Sequence, residues 1–558
     1  MTTLSDDQLL LQRFYSHCEN RGKDVFLTQP VGGGEVLDYT FLDVLDQAKR
    51  MAAHLRSLDL PAQSKIAMIS KNCAHFFMAD LAIWMAGHVS VALYPTLIRD
   101  TVSYILDHSD AELLFVGKLD TWDEVKHGIP EDMRQIALPL APKTDLPAWD
   151  DITASVEPIE DNPVRGMDDE ALLIYTSGST GQPKGVLHTF RTICAPTVGL
   201  VSLLEIKSSD RGLSYLPLAH SMDRWLSECV GTYVGSHVFF AESLDTFVQD
   251  LARARPTVFV SVPRLWLKFQ LGVFAKLPPK KLKTLLKLPI IKGVIKKKIL
   301  GNLGLDSARF AGSGSAPIPA ELLAWYRNLG LELLEGYGMS ENFNYSHLTM
   351  PGKGRAGYIG HPYPDVEHQI SEEGEILVKS PGTMVGYYKQ PELTAEAFTE
   401  DGFLKTGDRG EIDSDGRLRI TGRVKELFKT SKGKYVAPAP IENLINVNEN
   451  VELSCVSGSG YPMTHVVVQL AEALQPKLGD ASVREAITRD LDALVDRVNG
   501  EIEAFEKIGF VVVAAEPWTI EGGQLTPTMK MKRPNIEDLY TEKLDEWYAS
   551  GTKVIWED

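Results

Sequence analysis

One stretch, residues 175–186, constrains this chain more than any other. It reads Tyr-Thr-Ser-Gly-Ser-Thr-Gly-Gln-Pro-Lys-Gly-Val and follows an apolar run, 171–174, that predicts a buried strand. Glycines let backbone N–H groups approach an anion closely, hydroxyl groups add hydrogen-bond donors, and a lysine adds a point charge. The stretch therefore predicts a turn that binds a polyphosphate.

Two common phosphate motifs do not fit this stretch. A P-loop requires Ser or Thr directly after its Gly-Lys, whereas here Pro183 precedes Lys184 and Gly185 follows it. A dinucleotide fingerprint is excluded as well, because no helix-opening G-x-G-x-x-G is present. The alternative without function is a solvated turn rich in Ser, Thr and Gly. The order of strand, hydroxyl cluster, Pro-Lys-Gly and apolar residues favours phosphate binding.

Size and charge exclude several classes of protein. The 558 residues suffice for several domains, and a net charge of −18 argues against general nucleic-acid binding. The five cysteines are scattered without a C-x-x-C, which suits a reducing compartment. The acidic N-terminus does not fit a signal peptide, and the apolar window 76–94 contains Asp80, Gly87 and His88. We expect a soluble protein in which this window forms a buried helix and a strand.

The N-terminal third alternates between helical and extended patterns. Apolar residues recur at helical spacing after Thr40, a suitable N-cap, and segments 65–70 and 111–116 are typical of short strands. Such alternation predicts an α/β sheet covered by helices. Residues 139–163 are rich in Pro and Asp and predict a surface loop.

A second cluster of glycines and polar residues lies at 310–319 and 331–342. Gly336 and Gly338 allow close backbone approach, Tyr337 can stack on a planar base, and Glu341 supplies the hard oxygen that Mg²⁺ prefers. One such motif alone could be a tight turn. Its occurrence together with the first stretch favours a nucleotide site.

Three further segments contain residues that could bind a ligand, and each also has a purely structural explanation. Asp408 stands at a turn, where it could accept hydrogen bonds from two ribose hydroxyls or simply cap the turn. His220 and Trp225 follow a strand that ends at a proline, and they could line a pocket or pack in a core. Residues 276–298 hold nine lysines and no acidic residue, which fits a solvated helix face, a surface for anionic lipid, or one that steers acidic ligands.

Taken in order, five motifs resemble those of the adenylate-forming enzymes, a family that includes acyl-CoA synthetases, luciferases and peptide-synthetase adenylation domains. The resemblance covers nearly the whole chain. It implies an α/β fold: a large N-terminal domain of two packed α/β sheets plus a small barrel, and a small mobile C-terminal α+β domain. We expect the boundary between residues 1–422 and 423–558, where Gly-Arg-Val-Lys matches the family's hinge element.

The resemblance also implies roles for individual residues. ATP would be held by Thr176, Ser177, Gly178, Ser179, Thr180, Lys184, Gly314, Ser315, Ala316, Glu335, Gly336, Tyr337, Gly338, Ser340, Asp408, Arg423 and Lys425. Mg²⁺ would be held by Thr176 and Glu341, and the acid and coenzyme A by His220, Trp225, Gly312, Lys429, Lys432 and Tyr435. Lys432 fits a solvated basic loop equally well.

The family carries its adenylating lysine on a late C-terminal loop. The segment Leu-Thr-Pro-Thr-Met-Lys at 525–530 resembles the form found in long-chain acyl-CoA synthetases, which assigns that role to Lys530. The family's usual form has Gly directly before this lysine, where Met529 stands here, so Lys532 is the alternative.

These resemblances imply AMP-forming activation of a medium- or long-chain fatty acid, followed by transfer of the acyl group to coenzyme A. The catalytic set would be Lys530, Glu341 and Thr176. The alternatives are a ligase that uses an aryl acid or passes the acyl group to a carrier protein, and a catalytically silent homologue. We expect a cytoplasmic protein, with contact at the inner membrane face through residues 276–298 as one interpretation of the lysines.

Overall fold

The computed structural model describes residues 4–177, 182–526 and 530–557. Its α-helices are α1 (Leu10–Arg21), α2 (Phe41–Ser57), α3 (Ala74–Met85), α4 (Arg99–Ser109), α5 (Trp122–Val125), α6 (Trp149–Ser155), α7 (Phe190–Leu204), α8 (Ser221–Asp223), α9 (Val230–Val234), α10 (Phe247–Ala254), α11 (Pro263–Lys276), α12 (Pro279–Leu286), α13 (Pro289–Asn302), α14 (Ala320–Leu329), α15 (Pro391–Glu396), α16 (Pro438–Ile445), α17 (Ala481–Asn499), α18 (Arg533–Tyr540) and α19 (Leu544–Ser550). A π-helical turn, Arg224–Cys229, joins α8 to α9.

The strands are β1 (Val25–Gly32), β2 (Glu35–Thr40), β3 (Lys65–Ile69), β4 (Val89–Leu93), β5 (Ala111–Val116), β6 (Arg134–Ala137), β7 (Glu170–Ser177), β8 (Pro183–Thr189), β9 (Arg211–Ser214), β10 (His237–Phe240), β11 (Val258–Ser261), β12 (Phe310–Ser313), β13 (Leu333–Tyr337), β14 (His347–Leu348), β15 (His361–Pro362), β16 (Glu367–Ile370), β17 (Glu375–Lys379), β18 (Gly386–Tyr387), β19 (Leu404–Ile412), β20 (Leu418–Arg423), β21 (Phe428–Lys429), β22 (Tyr435–Val436), β23 (Val451–Ser457), β24 (Thr464–Leu470), β25 (Ile508–Val513) and β26 (Val554–Trp556).

Three sheets build the large N-terminal part. The largest has the order β18-β8-β7-β4-β3-β5-β6, with parallel pairing from β7 to β6 and antiparallel pairing of β7, β8 and β18. The second, β11-β12-β13-β14-β15, is parallel over its first three strands, and the third is β2-β1-β10-β9. The predicted α/β architecture is confirmed.

A smaller antiparallel sheet, β16-β17-β19-β20, occupies the part of the chain where a small barrel was predicted; its strand order is that of an open sheet with β16 and β20 at the edges. The Asp-Gly turn at 413–417 connects β19 to β20 as a hairpin. Strand β20, the last of this sheet, ends at Arg423. The C-terminal part begins there with a short 3-10 turn and the hairpin β21-β22.

The C-terminal part has a sheet of its own, β23-β24-β25-β26, with a hydrophobic core on each face. Successive side chains of a strand point to opposite faces, so Val466 and Val468 enter one core and Val467 enters the other. Helix α17 covers the first face and α18 the second. The predicted small C-terminal α/β unit is therefore present.

Local sequence signals explain most element ends. Thr40 caps α2 by accepting a hydrogen bond from the backbone N–H of Asp43, whose carboxylate reaches back to the N–H of Thr40. Every side chain of α3 is buried, as the apolar window predicted. Of the described residues, none belongs to a helix that is long and apolar enough to cross a bilayer.

One prediction for the N-terminal third was wrong. Residues 139–163 are not only a surface loop, because α6 lies within them. Trp149, at the start of α6, is fully buried, and its Nε1 donates to Oε1 of Gln47 at 3.0 Å. An indole offers a large apolar surface and one donor, and both find partners here, so a tertiary contact holds a helix in a segment of loop-like composition.

Candidate functional site

The phosphate-loop stretch is the connection between two antiparallel strands, β7 and β8. Their register pairs Thr176 with Lys184 and Tyr175 with Gly185. Predicted phosphate ligands Gly178, Ser179 and Thr180 lie outside the described residues, as does the side chain of Ser177. The strand pairing brings the hydroxyl of Thr176 and the ammonium of Lys184 to the same end of the hairpin, on the two sides of the loop.

Lys184 contacts an aromatic ring that sequence reasoning did not assign to the site. Its Nζ lies 5.2 Å from the centre of the Tyr387 ring, a cation–π contact. Tyr387 is placed there because β18 pairs with β8 in antiparallel register, opposite Val186. The Gly-Tyr-Tyr at 386–388 was a signal, since glycine beside aromatics after an apolar run resembles the second motif.

The hydroxyl of Tyr387 joins the first motif to the second. It donates to Oε1 of Glu341 at 2.9 Å, while the carbonyl of Glu341 accepts from the N–H of Met384 at 2.8 Å. Burial raises the pKa of Tyr387, and the neighbouring carboxylate of Glu341 raises it further, so the phenol stays protonated and remains a donor. Lys184, Tyr387 and Glu341 thus form one connected group.

The second motif is shaped by close backbone packing. A Cβ on Gly338 would lie 2.4 Å from the carbonyl carbon of Asn344, so only glycine fits, whereas a Cβ on Gly336 would meet nothing closer than 3.8 Å. Ser340 is fixed from two sides: its carbonyl accepts from Nε2 of His188 at 2.8 Å, and its hydroxyl lies 3.1 Å from that of Ser221. Burial lowers the pKa of His188 to about 4, which keeps the ring neutral.

Tyr337, Asp408 and Arg423 form a second connected group. The Tyr337 hydroxyl donates to Oδ2 of Asp408 at 2.7 Å, and Nε of Arg423 donates to Oδ1 at 2.8 Å. Asp408 and Arg423 are direct neighbours across β19 and β20. Burial raises the pKa of Tyr337, and Asp408 adds to this effect. The hairpin therefore orients one carboxylate beside a planar aromatic ring, at the end of β13.

The segment after β12 lies beside β13. A Cβ on Gly314 would lie 3.1 Å from Cε of Met222 and 3.5 Å from the carbonyl oxygen of Gly336, and Ser315 adopts a positive φ of 68°. Ala316 continues this turn, and Gly312, within β12, accepts from Nε1 of Trp266 at 3.1 Å.

Glu335 is a buried carboxyl group next to this turn. It lies on β13, opposite Ser313 of β12, and is 7% exposed. Burial raises the pKa of Glu335 to about 7. A hydrogen bond from the backbone of Ile318 acts in the opposite direction and lowers this pKa. A neutral carboxyl group near pH 7 can both donate and accept a hydrogen bond, which suits recognition of a polar heterocycle.

Lys530, from the C-terminal part, lies near Asp408, Arg423 and Glu341. Its side chain has some access to solvent. The surrounding protein nevertheless displaces water from the ammonium group, which lowers the pKa of Lys530, and the positive charge of Arg423 lowers it further. The carboxylates of Asp408 and Glu341 act in the opposite direction. Lys530 therefore lies within electrostatic range of both connected groups.

His220 lies near the same lysine, whereas Trp225 is part of the core. Nδ1 of His220 accepts from the N–H of Met222 at 3.0 Å, and burial followed by the charge of Lys530 lowers its pKa to about 4. Trp225 is 2% exposed on the π-helical turn, with Tyr345 and Tyr363 edge-on to its ring. Among the described residues its Nε1 has no hydrogen-bond partner.

The predicted hinge and coenzyme A residues lie apart from this site. Lys425 is exposed on a 3-10 turn, and Lys432 is exposed between β21 and β22. Lys429 holds its Nζ 5.4 Å from the centre of the Tyr435 ring, and both side chains are exposed. No contact within the described part of the chain joins these four residues to Glu341, Asp408 or Lys530.

Glu341 and Thr176 are the candidate ligands for Mg²⁺. Within 4–177, 182–526 and 530–557 no cluster of three or more His, Cys, Asp or Glu side chains could hold a metal by itself. Mg²⁺ is commonly held by one or two carboxylates together with substrate phosphates and water. The hydroxyl of Thr176, which is paired with Lys184 across the hairpin, and the carboxylate of Glu341, which is joined to Lys184 through Tyr387, fit that pattern.

Comparisons with known proteins agree with this geometry. Residues 14–388 match the family described as AMP-binding enzyme, and residues 426–552 match the AMP-binding enzyme C-terminal domain. Long-chain-fatty-acid–CoA ligase 1 from Homo sapiens is 30% identical over 87% of this chain and 78% of its own length. Long-chain-fatty-acid–CoA ligase FadD15 from Mycobacterium tuberculosis is 28% identical over 95% of both chains.

Solved structures share the fold. The adenylation domain of a carboxylate reductase from Mycobacterium chelonae superimposes with a TM-score of 0.82 at 23% identity, over 97% of this chain and 91% of that one. The anthranilate CoA ligase AuaEII in complex with anthranoyl-AMP gives a TM-score of 0.76 at 19% identity, over 96% and 98%. The protein described here is a member of the AMP-binding enzyme family.

Proposed function

We propose that the chain is an AMP-forming CoA ligase that activates medium- or long-chain fatty acids. The observation that carries this proposal is the position of Lys530, which comes from the C-terminal part and faces Asp408, Arg423 and Glu341. The names of the curated relatives support a fatty acid as substrate and coenzyme A as acceptor.

ATP would bind across the two connected groups. Thr176, Lys184 and the loop between them would hold the β- and γ-phosphates, and Asp408 and Arg423 would bind the ribose. Mg²⁺ held by Glu341 and Thr176 would neutralise phosphate charge. The task of Tyr387 would be to hold Glu341 and Lys184 in place, since it contacts both.

In the first half-reaction the fatty carboxylate attacks the α-phosphorus of ATP, and pyrophosphate leaves. Negative charge gathers on the oxygens around the α-phosphorus, so a positioned ammonium group stabilises the transition state. Lys530 is suited to that task by its position. The loss of water around its ammonium group and the charge of Arg423 lower its pKa, and the carboxylates of Asp408 and Glu341 act in the opposite direction by favouring the protonated form. The position of Lys530 supports it over Lys532. Lys532 is the N-cap of α18, and its backbone N–H donates to the carbonyl oxygen of Gln524.

In the second half-reaction the thiol of coenzyme A attacks the acyl carbonyl of acyl-AMP, and AMP leaves. We propose that the C-terminal domain, 423–558, first rotates about Lys425 relative to residues 1–422. The separate hydrophobic cores of the two parts, which do not mix side chains across Arg423, would permit such a motion. Rotation would withdraw Lys530 and bring Lys429, Lys432 and Tyr435 toward the site.

We further propose that the protein works in the cytoplasm and touches the inner membrane face through residues 276–298. Long-chain fatty acids are concentrated in bilayers, so contact with the membrane would shorten the route of the substrate.

A panel of carboxylic acids scored by pyrophosphate release, with and without coenzyme A, tests the proposed activity. We expect release with decanoate and longer acids and conversion of the acyl group to the thioester when coenzyme A is present. Preference for benzoate, or transfer only to a carrier protein, would favour the alternative ligases. Failure of every aliphatic acid to support exchange of labelled pyrophosphate into ATP would refute the proposal.

A further inference from the structure

The lysine-rich segment folds into a defined surface. Its nine lysines lie at the end of α11, in α12, directly after α12 at Lys287, and in α13, within a protein of net charge −18. All of them are exposed except Lys296, which is half-buried. Among the described residues none of these lysines forms an ion pair, so their charges remain uncompensated.

The two helices of this surface are anchored from behind. Leu282 of α12 and Ile299 of α13 are buried in a small core with Leu329, and Trp325 of α14 packs against it. Each helix begins with a proline at its first position, which fixes its start. The lysines are therefore held on a rigid helix pair.

Apolar side chains stand among the lysines on the solvent side. Leu288 is 43% exposed, Ile291 43% and Val294 68%. They follow one another at three-residue spacing, which places Ile291 and Val294 on one face of α13, next to Lys298. A solvated helix face would not need three exposed apolar side chains within seven residues.

We propose that the face of α12 and α13 that carries these side chains docks on an anionic lipid bilayer. The lysines would contact lipid headgroups, and Leu288, Ile291 and Val294 would enter the boundary between headgroups and acyl chains. Nucleic acid would use the lysines but leave the apolar side chains in water, so lipid accounts for both parts of the surface. The biological purpose of the contact rests on the proposed fatty-acid activity, whereas the contact itself does not.

Flotation with lipid vesicles tests this inference. The wild-type protein is mixed with vesicles of phosphatidylcholine, or of phosphatidylcholine with anionic phosphatidylglycerol, at low and high salt. The surface variant is Lys280→Gln, Lys281→Gln, Lys292→Gln and Lys297→Gln. A control with the same change in net charge removes exposed lysines elsewhere: Lys23→Gln, Lys143→Gln, Lys353→Gln and Lys477→Gln.

We expect the wild type to float with anionic vesicles only, and less so at high salt. A lysine near an anionic surface strengthens binding about fivefold, so the surface variant, which lacks four lysines, should bind about six-hundredfold more weakly and the control only slightly. Val294→Ser should also weaken binding, whereas Leu244→Ser, at a position 92% exposed outside the surface, should not.

Equal vesicle binding by the surface variant and the lysine control would overturn the inference. So would a wild type that ignores anionic vesicles, or one that binds RNA through these lysines instead. Pyrophosphate release with decanoate in lipid-free buffer is measured in parallel and should be the same for both lysine variants. A wild type that floats with vesicles but shows no release would refute the proposed activity and leave the docking surface intact.

Discussion

The hydroxyl of Tyr387 donates to Oε1 of Glu341 at 2.9 Å, and the ring of the same tyrosine lies 5.2 Å from Nζ of Lys184. Lys184 belongs to the first motif and Glu341 to the second, 157 residues apart by their numbers. One side chain from a third segment thus sets the spacing between a cation and a carboxylate that would share a triphosphate.

Tyr387→Phe removes the hydroxyl and keeps the ring. A hydrogen bond to a charged group contributes about 1.5–3 kcal/mol, so pyrophosphate release in the first half-reaction should slow by about tenfold or more. Thermal stability should change little. Tyr388→Phe is the matched control, because its hydroxyl bonds Asp110 at the surface. Equal rates for the two variants would mean that Tyr387 does not position Glu341.

Lys530→Ala should abolish adenylation, with a loss of at least about a hundredfold, because one positioned donor to a developing charge has that effect. Formation of thioester from supplied acyl-AMP should continue, since that step would proceed with Lys530 withdrawn. The two half-reactions are measured separately, with Lys532→Ala as the control. Equal loss in both half-reactions would show that the lysine has another role.

Glu335→Gln should remove a pH dependence of stability. The folded-state pKa of Glu335, about 7, is raised above its ordinary 4.5, so the folded protein binds this proton more tightly than the unfolded chain. Stability is therefore full below about pH 4.5 and falls as the pH rises to about 7. Between pH 4.5 and pH 8 the free energy of unfolding of the wild type should fall by roughly 3 kcal/mol more than that of Glu335→Gln, as measured from urea midpoints. Parallel curves for the two proteins would contradict the raised pKa.

Gly338→Ala should destabilise the fold by about 1–3 kcal/mol, because its methyl group would overlap the backbone of Asn344. Gly336→Ala is the matched control, since its methyl group meets nothing closer than 3.8 Å. We expect a lowered melting temperature for the first variant and an unchanged one for the second. If a methyl group at Gly336 weakens ATP binding without loss of stability, the nucleotide itself approaches that backbone.

Sequence reasoning predicted elements best where the signal was local. The N-cap Thr40, the short buried strands β3 and β5, and the Asp-Gly hairpin between β19 and β20 each depend on neighbours in the chain. Trp149 shows where such reasoning ends. Its helix is held by Gln47, a partner about a hundred residues away that composition cannot reveal.

The same limit applies to the candidate site. Glycine, hydroxyl, carboxylate and lysine in ordered motifs identified the family, because phosphate chemistry needs those residue types at short spacing. Tyr387 was missed as a site residue, since its role comes from strand pairing between β8 and β18. Lys425, Lys429, Lys432 and Tyr435 remain predictions, as this arrangement of the two parts leaves them exposed.

The sequence by itself determined the family, the α/β class and the residue types of the nucleotide site, because these follow from patterns within a few residues. Only the tertiary structure decided which of those residues meet. It set Lys530 near Asp408 and Glu341, buried Glu335, and left the lysines of α12 and α13 without an ion pair among the described residues. Burial and charge at a site depend on side chains far apart in the chain, so they appear only when the chain has folded.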